Sequence, residues 1–419
     1  MPFPSLLRKS AACPAGGGTA GHASIAPDVP VGVLALLYAC LFFELGVNLP
    51  FFPLWLKAQS LDSDAIGIIL AAPLLTRIVA NPAIGALADR SGRVATVLML
   101  CAMLVAAGTG LLTVASGFWP ILFVVIVIAV GQGPLIALAD TLVLGRLARA
   151  VRSELAYGRI RLWGSLGFAA ANLVAGWALE WFSAAAIIML LLASTLATAA
   201  AAAGCLQATP HASADDRQGD RWPAHPLFLV CAIVGAALVQ ASHAAFYGFG
   251  ALHWQAAGMS GSTMGGLWSL GVLSEVVLFA CLGYRMNGTG SATGLLAAAA
   301  MTTALRWAVM ARDPDLLALI CLQLTHGVTF GVTHLASIFL VARLAPGRMQ
   351  ASVQAWLAAS WAGLMAVLTT LSGWLYESCG ERIYLVMAAA AGIGLLVLLP
   401  VAWSLWRSAT GMPPSQEMR

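Results

Sequence analysis

The sequence predicts an all-α membrane protein, and three observations support this fold class. Of the 419 residues, 60% are hydrophobic and only 9% are charged, whereas soluble domains carry roughly 25% charged residues. Twelve segments have the length of about 20 mainly apolar residues that a helix needs to cross a bilayer. One polar stretch, residues 207–225, divides them into two groups of six. The composition therefore excludes a secreted disulfide scaffold, a disordered chain and a typical cytosolic enzyme.

Charged residues and Pro or Gly breaks define the ends of the predicted spans. The spans are 30–56, 65–88, 94–115, 118–146, 156–181, 184–206, 226–255, 262–284, 292–311, 315–343, 350–376 and 382–406. The predicted domains are a flexible cytoplasmic tail (1–28), an N-terminal six-helix bundle (29–206), a cytoplasmic linker (207–225), a C-terminal six-helix bundle (226–406) and a second tail (407–419). The first tail lacks an apolar run, so the first span is expected to direct insertion.

The distribution of lysine and arginine predicts the orientation. With the first tail in the cytoplasm, sixteen of the 21 basic side chains lie on the cytoplasmic side, three on the opposite side and two inside the membrane. Because cytoplasmic loops are enriched in Lys and Arg, we predict that both termini face the cytoplasm of a bacterial-type inner membrane. The net charge of +4 then reflects topology and does not indicate nucleic-acid binding.

A weak internal repeat relates the two groups of spans. A shift of 199 residues matches the first span to the seventh, and a shift of 197 matches spans four and five to ten and eleven. The matched pairs include Trp55 and Trp254, Ser63 and Ser262, Gly67 and Gly266, Arg146 and Arg343, and Gly176 and Gly373. Two parallel repeats around a midplane site are typical of transporters.

Three sequence stretches resemble one known family. Residues 85–93 read GALADRSGR, residues 52–57 read FPLWLK and residues 157–168 read YGRIRLWGSLGF. The first resembles the GxxxDRxGR signature of the major facilitator superfamily. The other two resemble its phenylpropionate permease branch, a group similar to lactose permease and the nucleoside–proton symporters. The resemblance implies the major facilitator fold, with twelve helices in two pseudo-symmetric bundles, secondary active transport and proton coupling.

The loop after the second span is expected to act as a conformational latch. Its residues are Gly85, Asp89, Arg90, Gly92 and Arg93. We expect Asp89 to cap the next helix and to pair with a cytoplasmic arginine, while the glycines allow helices to approach closely. The matching loop at 283–288 keeps little more than a Gly and an Arg, so the latch is expected on one side only.

Ionisable side chains inside the spans are candidate functional residues, because a charge at the bilayer centre costs about 2.5–3.5 kcal/mol on insertion scales. They are Glu44, Arg77, Asp140, His243, Glu275, Arg306, His326 and His334. The family architecture places spans one, four, seven and ten around the central cavity, and five of these eight residues lie on those spans. Such clustering is typical of a transport site.

Helical spacing groups several of these residues with polar neighbours. Glu44 shares a face with Asn48, and His243 shares a face with Tyr247. His334 is expected about 80° around its helix from His326. We therefore interpret His326 as functional, whereas His334 can equally be a structural histidine.

Two groups of residues resemble functional clusters of relatives. Glu275, Arg306 and His326 are similar in placement to the acid–arginine–histidine cluster that couples protons in lactose permease. That cluster has a second carboxylate where this chain has Thr329, so the proton acceptor is open. Glu275 paired with Arg306 is one candidate for the proton acceptor; alternatively, the two form an ion pair that is only structural.

Asp140 with an arginine of span five resembles the pair that holds sugar hydroxyls in the same relatives; the candidates are Arg159 and Arg161.

These features favour a monomeric, proton-coupled importer of a small organic solute. An aromatic carboxylate is preferred, because Arg306 and the histidines offer cationic partners in a partly aromatic cavity. A sugar or nucleoside symporter is the alternative, and an exporter is the third. The motifs HExxH, GxSxG and GxxxxGK[ST] are absent, so the sequence predicts no enzyme, metal site or cofactor.

Overall fold

The protein is described from a computed structural model. The described residues are 30–147, 153–206, 226–282, 289–345 and 349–410. Within these ranges every regular element is helical, as predicted. The first tail, the linker, the loop at 283–288 and residues 411–419 of the second tail lie outside the described residues.

The α-helices follow one another with short connections. They are α1 Val31–Ala58, α2 Ser63–Ser91, α3 Val94–Leu112, α4 Phe118–Leu147, α5 Ser153–Trp181, α6 Ala185–Ala203, α7 Pro226–Ala241, α8 Ala244–Ala256, α9 Gly261–Leu282, α10 Thr289–Met310, α11 Leu316–Leu324, α12 Thr333–Leu344, α13 Gln350–Cys379 and α14 Ile383–Thr410. A π-helix, Gly327–Val332, precedes α12, and a 3₁₀ turn, Gly380–Arg382, precedes α14.

These helices form twelve spans, which confirms the predicted fold class. The helices α1 to α6 are spans one to six, and α7 and α8 together form span seven. Spans eight and nine are α9 and α10; α11, the π-helix and α12 form span ten; α13 and α14 complete the set. By length and hydropathy alone eleven stretches qualify within the described residues, because the last of them, Ser352–Ala402, contains both α13 and α14.

Local sequence explains where several helices begin and end. The Asp62 carboxylate accepts the Ala65 N–H at 2.8 Å and caps α2, and Asp315 caps α11 through the Ala318 N–H at the same distance. Gly92 ends α2 with φ +63°, a left-handed conformation that favours glycine. The short loops therefore follow from residues that stop and restart helices.

The predicted capping role of Asp89 is wrong for this conformation. The helix α3 begins after Arg93, whose side chain makes no capping hydrogen bond. Asp89 is exposed, and its carbonyl oxygen accepts the Gly92 N–H at 3.3 Å, which closes the turn locally. Within the described residues its carboxylate has no arginine partner. The latch itself stays a prediction.

The two halves are joined by two matching hydrogen bonds at one end of the molecule. Glu180, near the end of α5, accepts the Ser262 N–H of α9 at 2.9 Å. Glu377, near the end of α13, accepts the Ser63 N–H of α2 at 3.3 Å. The two glutamates are 197 residues apart and the two serines 199, the same shifts that relate the halves in sequence. Each carboxylate therefore binds the positive end of a helix in the other half.

Glycines let the backbones meet at the same end. A Cβ added to Gly67 would lie 3.0 Å from the Gly373 Cα, and one added to Gly176 would lie 2.3 Å from the Gly261 carbonyl oxygen. A larger residue at these positions would separate the halves. The halves are thus closed together at the end that the charge distribution predicts to be non-cytoplasmic.

Candidate functional site

Glu275, His326 and Arg306 form a hydrogen-bonded line in the C-terminal half, here named the C-terminal triad. The His326 Nε2 lies 3.0 Å from the Glu275 Oε1, and its Nδ1 lies 2.9 Å from the Arg306 Nη1. The three residues come from span eight, span ten and span nine. No direct ion pair joins Glu275 to Arg306 among the described residues, so the imidazole replaces the pairing expected from sequence.

Arg306 determines which nitrogen of His326 carries the proton. A guanidinium group only donates hydrogen bonds, so the His326 Nδ1 must accept. A neutral imidazole with a bare Nδ1 carries its hydrogen on Nε2, and this atom faces the Glu275 carboxylate. The acid and the arginine are therefore connected through a group that can take up and release a proton.

Arg306 is buried inside the helix bundle. It is 2% exposed and donates to the Gln323 Oε1 at 2.8 Å and to the Thr329 Oγ1 at 2.9 Å, besides its bond to the histidine. Its guanidinium carbon also lies 5.3 Å from the ring centre of Phe246 and 4.8 Å from that of Trp307. With these contacts Arg306 organises the triad and has little freedom to reach a solute.

The π-helix aligns three rings of span ten in one column. The His326 and Phe330 ring centres are 5.5 Å apart with planes 17° apart, and Phe330 and His334 follow at 6.3 Å and 11°. A π-turn adds a residue and rotates the following helix by about 100°, so the expected 80° separation of the two histidines is wrong. The Gly327 N–H donates to the Ser274 Oγ at 2.8 Å, which ties this turn to α9. The column begins at a buried histidine and ends at an exposed one.

His243 and Tyr247 lie where span seven is interrupted between α7 and α8. The His243 ring is fully buried, and its Nδ1 lies 3.1 Å from the Gln240 carbonyl oxygen. The ring centre is 5.0 Å from Trp307 and 5.7 Å from both Tyr247 and His326. His243 thus forms a wall of the C-terminal triad, while Tyr247 is partly exposed.

Glu44, Gln132 and Arg77 form a second hydrogen-bonded line, here named the N-terminal triad. The Gln132 Nε2 donates to the Glu44 Oε1 at 2.6 Å, and the Arg77 Nη2 donates to the Gln132 Oε1 at 2.5 Å. Asn48 donates to the same Glu44 oxygen at 3.3 Å. Glu44 is buried, whereas Arg77 is half-buried. An acid and a base on two helices are again joined through one side chain.

Asp140 is the centre of a third polar group, near the predicted cytoplasmic end of α4. Its carboxylate accepts hydrogen bonds from the Tyr38 hydroxyl and, at 2.9 Å, from the Tyr157 hydroxyl. The Arg161 Nη1 lies 3.5 Å from the same oxygen. Arg159 is exposed and is not among the described partners of Asp140, so of the two expected partners the structure selects Arg161.

All the predicted binding residues lie in or beside these three groups. They are Glu44, Asn48, Asp140, His243, Tyr247, Glu275, Arg306 and His326. Sequence reasoning missed Gln132 and assigned no role to Tyr157; both side chains are uncharged. The internal repeat could have indicated Gln132, because this residue lies 197 positions before Thr329, at the repeat shift.

No group of three or more His, Cys, Asp or Glu side chains among the described residues is arranged to hold a metal ion.

Sequence comparison relates this geometry to known proteins. The model of the MFS_1 like family matches residues 32–386. A probable 3-phenylpropionic acid transporter of Escherichia coli (strain K12) is 32% identical over 373 residues, covering 85% of this chain and 94% of the relative. A maltose permease of Geobacillus stearothermophilus is 31% identical over 383 residues, covering 88% and 94%.

Solved structures of transporters share the fold. The nucleoside transporter NupG superimposes with a TM-score of 0.71 at 16% identity, covering 88% of this chain and 98% of that one. The POT family transporter PepTSo gives a TM-score of 0.72 at 12% identity, covering 91% and 98%. At these identities the likeness is one of fold.

Proposed function

This chain belongs to the MFS_1 like family of major facilitator transporters, and from that premise we propose that it imports a small aromatic carboxylate together with a proton. It is a multi-pass membrane transporter and not an enzyme. A 3-phenylpropionate-like acid is the preferred solute, because the relative with 32% identity is named for 3-phenylpropionic acid. We further propose a monomer with both termini in the cytoplasm.

The C-terminal triad is the observation that carries the proposal. In the observed hydrogen-bond pattern Glu275 accepts from His326, so the carboxylate and Arg306 balance each other in charge. Uptake of a proton by this acid–imidazole pair adds one positive charge to the site. Because charges interact strongly in a low-dielectric interior, the protonated site favours a monoanion nearby. One proton and one carboxylate then move together without net charge.

The aromatic surface of the C-terminal half supports the choice of an aromatic solute. Tyr247 and Phe330 are partly exposed, with ring centres 6.4 Å apart, and Tyr247 lies 5.8 Å from the ring of Trp268. Aromatic pairs at such distances are favourable in offset or tilted arrangements. A solute ring can extend this cluster while its carboxylate reaches the charged groups.

Alternating access is supported by the contacts between the halves. The bonds of Glu180 and Glu377 close one end of the molecule, so in this conformation the path is expected to open toward the cytoplasm. We propose that the loop at 85–93 stabilises the opposite, outward-open conformation as the latch expected from its motif. Import then requires the two ends to open in turn.

A sugar proton symporter is the second candidate. The maltose permease relative supports it, as do the hydrogen-bonding side chains Glu44 and Asn48 in the N-terminal half. These groups can bind hydroxyls, whereas they offer little to a carboxylate. The two candidates therefore differ in which half holds the solute.

Uptake into proteoliposomes tests the proposal. With an inside-alkaline pH gradient, purified protein is expected to accumulate labelled 3-phenylpropionate but not maltose or uridine, and a protonophore is expected to abolish the accumulation. Glu275→Gln is expected to lose solute-driven alkalinisation of the medium, whereas Glu381→Gln, at the predicted outer surface, serves as the matched control. Accumulation of maltose without 3-phenylpropionate would overturn the aromatic carboxylate in favour of a sugar.

A further inference from the structure

Three residues of α9 face span ten at the level of His326. They are Gly271, Ser274 and Glu275, whose spacing of three and four residues places them on one face of the helix. The Glu275 carboxylate binds the His326 imidazole at 3.0 Å. Ser274, its neighbour in sequence, accepts the N–H of Gly327, the residue after the histidine, at 2.8 Å. Span eight therefore contacts both the ring of the histidine and the backbone next to it.

The Ser274 hydroxyl takes the place of a helical backbone bond in span ten. In a regular α-helix the Gly327 N–H would bond the carbonyl of Gln323, four residues earlier. Here that N–H donates to the Ser274 Oγ, which lies 3.5 Å from the Gln323 carbonyl oxygen. The hydroxyl donates its own hydrogen to the Gly271 carbonyl at 2.6 Å. A side chain inserted between a helical donor and its acceptor distorts a helix, and the π-helix begins at Gly327.

The Gly327 N–H depends on this hydroxyl. Gly327 is buried, so its N–H needs an acceptor from the protein rather than from water. A Cβ added to Gly327 would lie 2.7 Å from the Ser274 carbonyl oxygen, so the two backbones meet closely at this point. Without the hydroxyl, the regular way to pair the N–H is the α-helical bond to Gln323. Closing that bond would remove the extra residue of the π-turn and rotate His326 by about 100° relative to the residues that follow.

We propose that Ser274 is a positioning residue for proton coupling, because its hydroxyl keeps the π-turn open and so holds the His326 imidazole between its two partners. The imidazole meets the Glu275 carboxylate at 3.0 Å and the Arg306 guanidinium at 2.9 Å. Arg306 also donates to Thr329 inside the π-turn, at 2.9 Å. A change in the turn therefore alters both contacts of the histidine. This inference rests on the proposed function and adds to it a residue that does not titrate itself.

Accumulation and counterflow, measured side by side in proteoliposomes, test the inference. An inside-alkaline gradient of one pH unit drives about tenfold accumulation of a solute that enters with one proton. Wild type is expected to reach this value with labelled 3-phenylpropionate, whereas Ser274→Ala is expected to reach about twofold or less. Counterflow of the same solute needs no net proton movement and should stay within about threefold of wild type. Ser274→Thr keeps the hydroxyl and should restore most of the accumulation.

Ser194→Ala is the matched control, because the Ser194 hydroxyl donates to the Leu191 carbonyl of its own helix, at 2.8 Å. It should accumulate the solute like wild type, and thermal unfolding in detergent checks that each variant is folded.

The outcomes are distinguishable. If wild type does not accumulate 3-phenylpropionate, the proposed function fails and the inference fails with it. If wild type accumulates the solute and Ser274→Ala does so equally, or loses accumulation and counterflow in parallel, Ser274 does not position the coupling residues. A loss of accumulation that Ser274→Thr leaves unrepaired would also overturn the inference, because the hydroxyl would then not be its cause.

Discussion

The N-terminal and C-terminal triads have the same hydrogen-bond pattern and differ in the side chain at the centre. In each, a central side chain donates to a glutamate and accepts from an arginine. The centre is Gln132 in one half and His326 in the other. An amide does not titrate near neutral pH, whereas an imidazole does. Under the proposed function, the same hydrogen-bond pattern therefore fixes charges in the N-terminal half and carries a proton in the C-terminal half.

The two triads also differ in the burial of their arginines. Arg306 is 2% exposed and bonded to three side chains, while Arg77 is half-buried and its one described side-chain bond is to Gln132. A buried charge that loses its partner has no water to replace it. The C-terminal triad is therefore expected to be both more reactive and more sensitive to substitution.

Arg306→Met is expected to have the largest effect. Because it leaves Glu275 without its compensating charge, and Gln323 without its donor, it should destabilise the protein by about 3–5 kcal/mol. Arg77→Met, the matched change in the other half, should cost less, because Arg77 is half-buried and its one described side-chain bond is to Gln132. Thermal unfolding in detergent measures both. Equal losses would show that the triads do not differ in burial as described.

His326→Gln gives the C-terminal triad the central amide of the N-terminal one. A gradient of one pH unit drives about tenfold accumulation of a solute that enters with one proton. The variant is expected to lose this accumulation and to equilibrate the solute, because glutamine keeps both hydrogen bonds but carries no proton. Counterflow exchange should persist within a few-fold.

The control for this substitution is His253→Gln, since His253 pairs with Asp313 away from the triads. It should accumulate the solute like wild type. Tenfold accumulation by His326→Gln would remove the histidine from the coupling path and leave Glu275 as the remaining carrier in this triad.

Much of the fold was predictable, because span length, apolar composition and the asymmetry of Lys and Arg act on whole segments. The bonds of Ser63 and Ser262 extend a repeat that the sequence already showed. The π-turn was not predictable from spacing, and it moved His334 onto the column of His326. The hydrogen bonds around Asp140 depend on uncharged partners such as Tyr157, which spacing within a single helix does not reveal.

Gln132→His is the reciprocal change and is expected to have the smallest effect. At pH 8 a neutral imidazole can donate to Glu44 and accept from Arg77 as the amide does, so uptake and unfolding should match wild type. Lowering the pH past the range of a free imidazole, about pH 6.5, favours the protonated ring, which can no longer accept from Arg77 and repels its guanidinium. Uptake relative to wild type should therefore fall a few-fold between pH 8 and pH 5.5. A loss already present at pH 8 would mean that the shape of the amide matters. An uptake unchanged between pH 8 and pH 5.5 would contradict the prediction, and the contrast between the halves would then lie in burial alone.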